Sequence, residues 1–250
     1  MANKKSTKLK FPKPLVEGLI KSRPNRFIFN VFINNKIAKV HCPSTGRIGN
    51  IKFENVPCLL SVSENSNRKT SHTAEAISLD LPAKKNKQWI GINQTKANGY
   101  VEFFLKTGQL PKMFPRPRII KREVKLKNSQ IDFFINNSDY LEVKTPLKDM
   151  PTASHPNFLG ASQPLTDFKR LIKHFQDISQ SISSESRALL LMCYLYDSPA
   201  FQVPPIAGAE KKIVQAAKQA AARGMENWQI NLKIDAAGVS LRDYFKLKLF

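Results

Sequence analysis

Asp132, Glu142 and Lys144 are the residues of this chain whose types and spacing can do chemistry. They lie in the stretch Gln130-Ile131-Asp132-Phe133-Phe134-Ile135, then Asn136-Asn137-Ser138, then Asp139-Tyr140-Leu141-Glu142-Val143-Lys144. In a strand, residues two apart share a face. Glu142 and Lys144 therefore point one way, and Leu141 and Val143 the other. Asp132 alternates with Ile131, Phe133 and Ile135, which take the opposite face. Register decides whether this is a site. A three-residue loop at 136–138 sets Asp132 opposite Glu142 and Gln130 opposite Lys144, and the four side chains converge. A slip of one residue sets Asp132 opposite Val143 and disperses them. Opposed carboxylates with Cβ atoms about 5 Å apart repel unless something neutralises them. Oxygen donors suit Mg²⁺ or Mn²⁺, so Asp132 and Glu142 are the candidate metal ligands. Such an ion polarises a phosphoryl oxygen and acidifies a bound water. Lys144 would hold that water or offset charge developing on phosphorus. Glu123, nine residues before Asp132, is the candidate fourth catalytic group. The same spacing also arises on ordinary solvated strand faces.

The elements around these residues carry a large positive charge. The chain has 250 residues, 40 Lys and Arg against 19 Asp and Glu, and a net charge of +21. That excess describes partners rather than fold. Nucleic acid is the commonest polyanion to require it, ahead of a membrane surface, for which no long basic amphipathic helix is present. Apolar residues make up 42% of the chain and include sixteen Phe, enough for packed cores. Cys42, Cys58 and Cys193 have no metal-ligand spacing and read as reduced thiols. His41 beside Cys42 reads as a packed strand end. No apolar run follows the basic first residues, and no stretch is long enough to span a bilayer. The expectation is a cytoplasmic protein without a membrane partner.

The sequence divides into a basic tail over 1–10, a β-rich unit over 11–84 and an α/β unit over 85–250. In the first unit, the run Phe27–Ile33 ends at Asn34-Asn35, a hairpin signal, and residues 37–41 follow as its partner. Further strands are predicted over 57–63 and 72–80. Short strands without helices between them predict a small barrel, and an OB-like barrel is the version that binds nucleic acid. Phe27, Phe29 and Phe32 are candidates for core or for a base-stacking platform. In the second unit, residues 89–93 form a possible strand and 97–106 a helix. Residues 106–127 carry eight basic residues and one acid, Glu123. An amphipathic helix is predicted over 165–178, a buried central strand over 187–196, a helix over 209–223 closed by Gly224, and a last strand over 228–234. Arg23, Arg26, Arg47, Arg68 and Lys69 flank turns of the expected barrel and are candidate phosphate contacts.

These residues together resemble the sugar fermentation stimulation protein (SfsA) family. The resemblance runs over nearly the whole chain. It rests on Pro14-Leu15-Val16-Glu17-Gly18-Leu19 leading into Arg23-Pro24-Asn25-Arg26-Phe27, on His41-Cys42-Pro43-Ser44-Thr45-Gly46-Arg47, and on Asn67-Arg68-Lys69-Thr70. It continues with Asn93-Gln94-Thr95, Ala97-Asn98, Gln130-Ile131-Asp132-Phe133 and Leu141-Glu142-Val143-Lys144. It implies an N-terminal OB-like β-barrel followed by an α/β domain of the PD-(D/E)xK nuclease type. It also implies binding to DNA, duplex and without strong sequence preference, and a regulatory role in sugar (maltose) metabolism. Nuclease activity is implied by fold analogy. The chain departs from the family pattern at Gln130, at Asn157 and over 161–167, where basic phosphate-facing groups are missing. Lys169, Arg170 and Lys173, about one turn later, are candidate replacements for DNA contact. The expected function is a sequence-tolerant DNA-binding protein with a nuclease-like metal site. The alternatives are an active Mg²⁺- or Mn²⁺-dependent nuclease and an RNA-binding protein.

Overall fold

The computed structural model describes residues 7–147 except 45, 47, 127 and 128, and residues 150, 177, 180, 182, 185–203 and 210–249. After a two-residue strand β1 (Leu9–Lys10) come β2 (Val16–Asn25), β3 (Ile28–Ile33), β4 (Lys36–His41), β5 (Val56–Val62) and β6 (His72–Ile77). Asn34 and Asn35 both adopt positive φ, 49° and 63°, and Ile33 pairs with Lys36 across them. This is the two-residue turn whose twist suits a hairpin, and Asn tolerates its left-handed backbone. The strands run in the order β4-β3-β2-β5-β6, and β4 pairs in parallel with β6 through His41 and Thr73. That pairing closes a five-strand barrel with the connectivity of an OB fold, as the sequence pattern predicts. Alternation fills it: Phe29, Val31, Val40, Cys58, Leu60 and Ala74 are fully buried.

A short strand β7 (Ile90–Gly91) continues this sheet from β6. The Gly91 N–H donates to the Leu195 carbonyl of the second unit at 2.8 Å. Strand pairing therefore extends the first unit to Gly91. The expected boundary after residue 84 falls in the segment between β6 and β7.

The second unit begins with a 3₁₀ turn (Gln94–Lys96) and helix α1 (Ala97–Lys106). Ala97, Tyr100, Val101, Phe104 and Leu105 recur at helical spacing and are its buried face. Strands β8 (Ile120–Leu126), β9 (Ser129–Ile135), β10 (Asp139–Lys144) and β11 (Ala188–Tyr194) follow, then α2 (Glu210–Ala222), β12 (Glu226–Asp235) and β13 (Gly238–Lys246). They form one mixed seven-strand sheet, β1-β13-β12-β11-β10-β9-β8. β10, β11 and β12 are parallel. Every residue of β11 is buried, as its continuous apolar run predicts. Leu189, Leu191 and Cys193 share a cluster with α1, whereas Leu190, Met192 and Tyr194 share one with Ala216 and Ala220 of α2. Among the described residues, α1 thus covers one face of the sheet and α2 the other. Gly224 takes φ +94° and ends α2, with Met225 N–H donating to the Ala220 carbonyl at 3.0 Å.

The last two residues of the expected basic tail are β1, which pairs with Val239 and Gly238 of β13. The Lys8 ammonium lies 2.5 Å from the Asp235 carboxylate beside this pairing. The helix expected over 165–178 lies outside the described residues except at Asp177. No helix among the described residues is long and apolar enough to cross a membrane.

Candidate carboxylate site and basic surfaces

The loop between β9 and β10 spans three residues, 136–138, with Asn136 and Asn137 both at positive φ. It pairs Ile135 with Asp139, Phe134 with Tyr140 and Phe133 with Leu141. One step further along that register, Asp132 stands opposite Glu142. There the backbone ladder stops and a side chain takes over. Asp132 Oδ2 accepts the Val143 N–H at 2.8 Å, and Oδ1 accepts the Asn98 amide at 2.8 Å. Glu142 is 2% exposed, and its Oε1 accepts from Lys144 Nζ at 2.6 Å. Leu141 and Val143 pack with Tyr100, Val101 and Phe104 of α1. Packing on one side of β10 thus fixes the direction of the charged pair on the other.

Burial pushes the Asp132 carboxyl above the usual carboxylate range, and the Glu142 charge pushes it the same way. The Val143 N–H, the Asn98 amide and the Lys144 charge oppose this without cancelling it. The structure therefore holds two carboxylates close together, one of them at an electrostatic disadvantage. A hard cation fits that donor set. Among the described residues, no group of three or more His, Cys, Asp or Glu comes together.

Glu123 stands opposite Asp132 in the β8–β9 register, between the pairs Arg122–Phe133 and Val124–Ile131. It has φ +54° and an exposed side chain. Its carbonyl accepts from Gln130 Nε2 at 2.9 Å. The structure thus gathers Asp132, Glu142 and Lys144 but leaves Glu123 and Gln130 outside. Asn98 is the functional candidate that strand spacing alone misses. It comes from the first turn of α1, and only the tertiary fold brings it to Asp132. Lys121, Arg122 and Lys125 are exposed on edge strand β8 beside the site. The excess of charge over 106–127 was their signal, and Arg122 at a position between Ile120 and Val124 hides the strand alternation.

On the barrel, Arg23 is committed to the protein itself. Its Nη2 donates to the carbonyls of Arg26 at 3.1 Å, Ser44 at 2.8 Å and Gly46 at 3.1 Å. Its guanidinium also lies 5.6 Å from the Phe29 and Phe53 ring centroids. Arg26 is exposed and stacks 4.7 Å from the ring of Phe27. Arg68 and Lys69 are exposed in the β5–β6 connection. Arg47, Lys169, Arg170 and Lys173 lie outside the described residues. The thiols of Cys42, Cys58 and Cys193 are all free and buried. His41 packs at the end of β4; burial pushes its pKa down, and the Arg68 charge adds to this.

Two side chains tie the barrel to the strand that carries Lys144. The Ser44 hydroxyl bonds the Ile92 carbonyl and lies 3.2 Å from Gln94 Oε1. The Gln94 amide in turn donates to the Thr145 carbonyl.

The chain matches two family models in the order of its two units. That of the SfsA N-terminal OB domain covers residues 22–92, and that of the sugar fermentation stimulation protein RE domain covers residues 95–238. The chain belongs to the sugar fermentation stimulation protein family. Asn98, Asp132, Glu142 and Lys144 all fall within the second match. A sugar fermentation stimulation protein homolog of Clostridium novyi is 29% identical over 227 residues, covering 88% of this chain and 92% of that protein. A homolog of Marinomonas sp. is 28% identical over 231 residues, 91% of this chain and 86% of that protein. The solved structure of Pyrococcus furiosus SfsA in complex with Ca²⁺ matches with a TM-score of 0.71 and 18% identity. It covers 98% of this chain and 100% of its own, so the SfsA fold extends over both units.

Proposed function

We propose that this chain binds DNA without strong sequence preference and carries a nuclease-like, cation-binding carboxylate site on its second sheet. The observation that carries this reading is the pairing of Asp132 with Glu142, with Lys144 at Glu142 and an exposed basic edge strand alongside. A polyanion drawn to Lys121, Arg122 and Lys125 would arrive next to two acids that would otherwise repel it. A divalent cation resolves that conflict, and Asp132 and Glu142 would hold it. The donors are oxygens only, which favours Mg²⁺ or Mn²⁺, and the Pyrococcus furiosus relative was solved with another hard cation, Ca²⁺. Such an ion supplies Lewis acidity toward a phosphoryl oxygen. Asn98 and the Val143 N–H orient Asp132, and Lys144 places a positive charge at the site. A second reading, metal-dependent phosphodiester hydrolysis, is favoured by the contact of Lys144 with Glu142. By family name the role of the binding would be regulatory, in sugar use.

Fluorescence anisotropy with two unrelated duplexes between 50 and 200 mM NaCl tests the binding. Both should bind equally well, with log K falling linearly in log salt at about −0.9 per phosphate neutralised. Salt-independent binding, or binding to one sequence only, defeats the proposal. Asp132→Ala and Lys144→Ala should retain duplex binding. If wild type cuts DNA with Mn²⁺ and both variants do not, the hydrolytic reading stands. Equal cutting by all three rejects it.

A further inference from the structure

A cleft opens where β2 passes the connection between β4 and β5. Its volume is about 510 Å³, within the range of small-ligand sites. Alternation builds one wall. Ile48, Ile51 and Phe53 are buried and line the cleft with apolar surface, whereas Lys52 and Glu54 are exposed at its rim. Asn50 and Asn55 bracket this run with left-handed backbone, φ 48° and 58°. β2 supplies the other wall. Its register with β3 shifts between Ile20 and Ser22 and again between Ser22 and Asn25. Strand alternation lapses there, so Lys21, Ser22 and Arg23 all reach the same cleft.

The charge of this lining is one-sided: Lys21, Arg23 and Lys52 face a single acid, Glu54. Arg23 spends only Nη2 on the carbonyls of Arg26, Ser44 and Gly46, and its Nη1 makes no hydrogen bond among the described residues. Those carbonyls hold the guanidinium still, so its charge is fixed in the wall. Lys21 Nζ is held by Asn55 Oδ1 at 2.9 Å. Lys52 makes no hydrogen bond or ion pair among the described residues. Three cations gathered in one recess repel one another unless an anion joins them. A phosphate monoester, with a charge of about −1.5 to −2 at pH 7, matches the excess of two positive charges better than a monocarboxylate does. The apolar wall matches a carbon body attached to that phosphate, which a duplex backbone running over the surface does not place in a recess. We infer that this cleft binds a small phosphorylated molecule, with the phosphate between Lys21, Arg23 and Lys52 and the carbon body against Ile51 and Phe53. The site shares no residue with the carboxylates and does not depend on the DNA-binding reading above.

The test is isothermal titration calorimetry of the full chain at constant ionic strength, with EDTA present so that no metal bridges an anion to the carboxylates. The probes are phenyl phosphate, inorganic phosphate and benzoate. Phenyl phosphate should saturate one site and bind more tightly than inorganic phosphate, and benzoate should bind more weakly than either. Lys52→Ala should weaken phenyl phosphate about tenfold, and Ser22→Glu, which sets a negative charge in the cleft, should weaken it at least as much. Lys39→Ala, an exposed lysine of β4 outside the cleft, should leave it within about twofold. Thermal unfolding verifies that these exposed substitutions leave the barrel folded. Absence of a saturable site overturns the inference, as does benzoate binding as tightly as phenyl phosphate, or equal loss in Lys52→Ala and Lys39→Ala, which would show diffuse charge only. Saturating phenyl phosphate should leave duplex affinity within about twofold. If it displaces duplex from wild type but not from Lys52→Ala, the cleft belongs to the DNA surface: this inference fails and the DNA-binding reading survives.

Discussion

Asp132→Asn should stabilise the metal-free protein and remove its response to metal. The substitution keeps shape and an acceptor for the Val143 N–H but removes one of two close charges. Opposed strand residues have Cβ atoms about 5 Å apart. Two unit charges at that separation repel by about 3 kcal/mol at an effective dielectric constant near 20. The Lys144 ammonium, 2.6 Å from Glu142, offsets much of that, which leaves a net relief of about 1 kcal/mol. For a chain of this size, that raises the unfolding midpoint by roughly 2–4 °C. The Asp132 pKa is raised on folding, so its ionised form costs stability only in the native state. That cost is absent below the unfolded value of about 3.9, grows as pH rises through the folded pKa and is constant above it. The advantage of Asp132→Asn should therefore be full at pH 7 and close on acidification toward pH 4. With Mn²⁺ at a hundredfold excess over its dissociation constant, wild type gains about 2.7 kcal/mol and the order of stabilities reverses. Differential scanning fluorimetry in EDTA and in Mn²⁺, across pH 4–8, reads all of this. An Asp132→Asn variant less stable than wild type in EDTA at pH 7 would refute the repulsion argument. An equal Mn²⁺ shift in both proteins would refute the assignment of Asp132 as a ligand.

Two further predictions concern the joint between the units. Glu75 is 1% exposed and accepts from Ser61 at 2.5 Å, Asn93 at 2.8 Å and Lys96 at 2.7 Å. Glu75→Ala leaves the buried Asn93 amide without its acceptor, while the part-exposed Lys96 can turn to water, and should cost about 2–3 kcal/mol in urea denaturation; a loss below about 1 kcal/mol would show that the network is not structural. A Cβ on Gly91 would enter the van der Waals space of Ile234 and Leu195, so Gly91→Ala should cost about 1–3 kcal/mol in the same measurement, and a neutral result would contradict the close approach of barrel and sheet.

The sequence carries the fold where a local rule operates alone. Asn34-Asn35 places one hairpin, the 97–106 spacing places α1, and the unbroken run of β11 places the centre of the sheet. Strands with mixed signals are harder to read. In β2, Gly18 and Pro24 interrupt the strand pattern. Yet Gly18 is there because a Cβ would press on Val31, Ile33 and Leu60. In β13, Arg242 and Asp243 break the alternation, because this strand lies between β12 and only two residues of β1. The site divides in the same way. Asp132, Glu142 and Lys144 follow from two-residue periodicity and the length of one loop. Asn98 is thirty-four residues from Asp132 and comes with no spacing rule. Glu123 satisfies spacing and register alike, but its left-handed backbone and exposed side chain keep it out of the cluster. Arg23 has the right residue type for phosphate, but three backbone carbonyls that converge on its guanidinium claim it first.

That use of Arg23 bears on how the two units act together. Two of its three carbonyl contacts hold Ser44 and Gly46, in the same loop from which Ser44 reaches Ile92 and Gln94. Gln94 then holds Thr145, the residue after Lys144. A side-chain path thus runs from a barrel loop to the end of the strand that carries Glu142 and Lys144, across the link between β7 and α1. Asn98 extends it from the other direction, since the helix that follows Gln94 places the amide on Asp132. The link between the units is therefore not a passive tether. Its residues 92–98 touch the barrel loop, the Lys144 strand and the Asp132 carboxylate in turn. The Asp132 carboxylate and the end of the Lys144 strand are thus both held by one segment that also contacts the barrel loop.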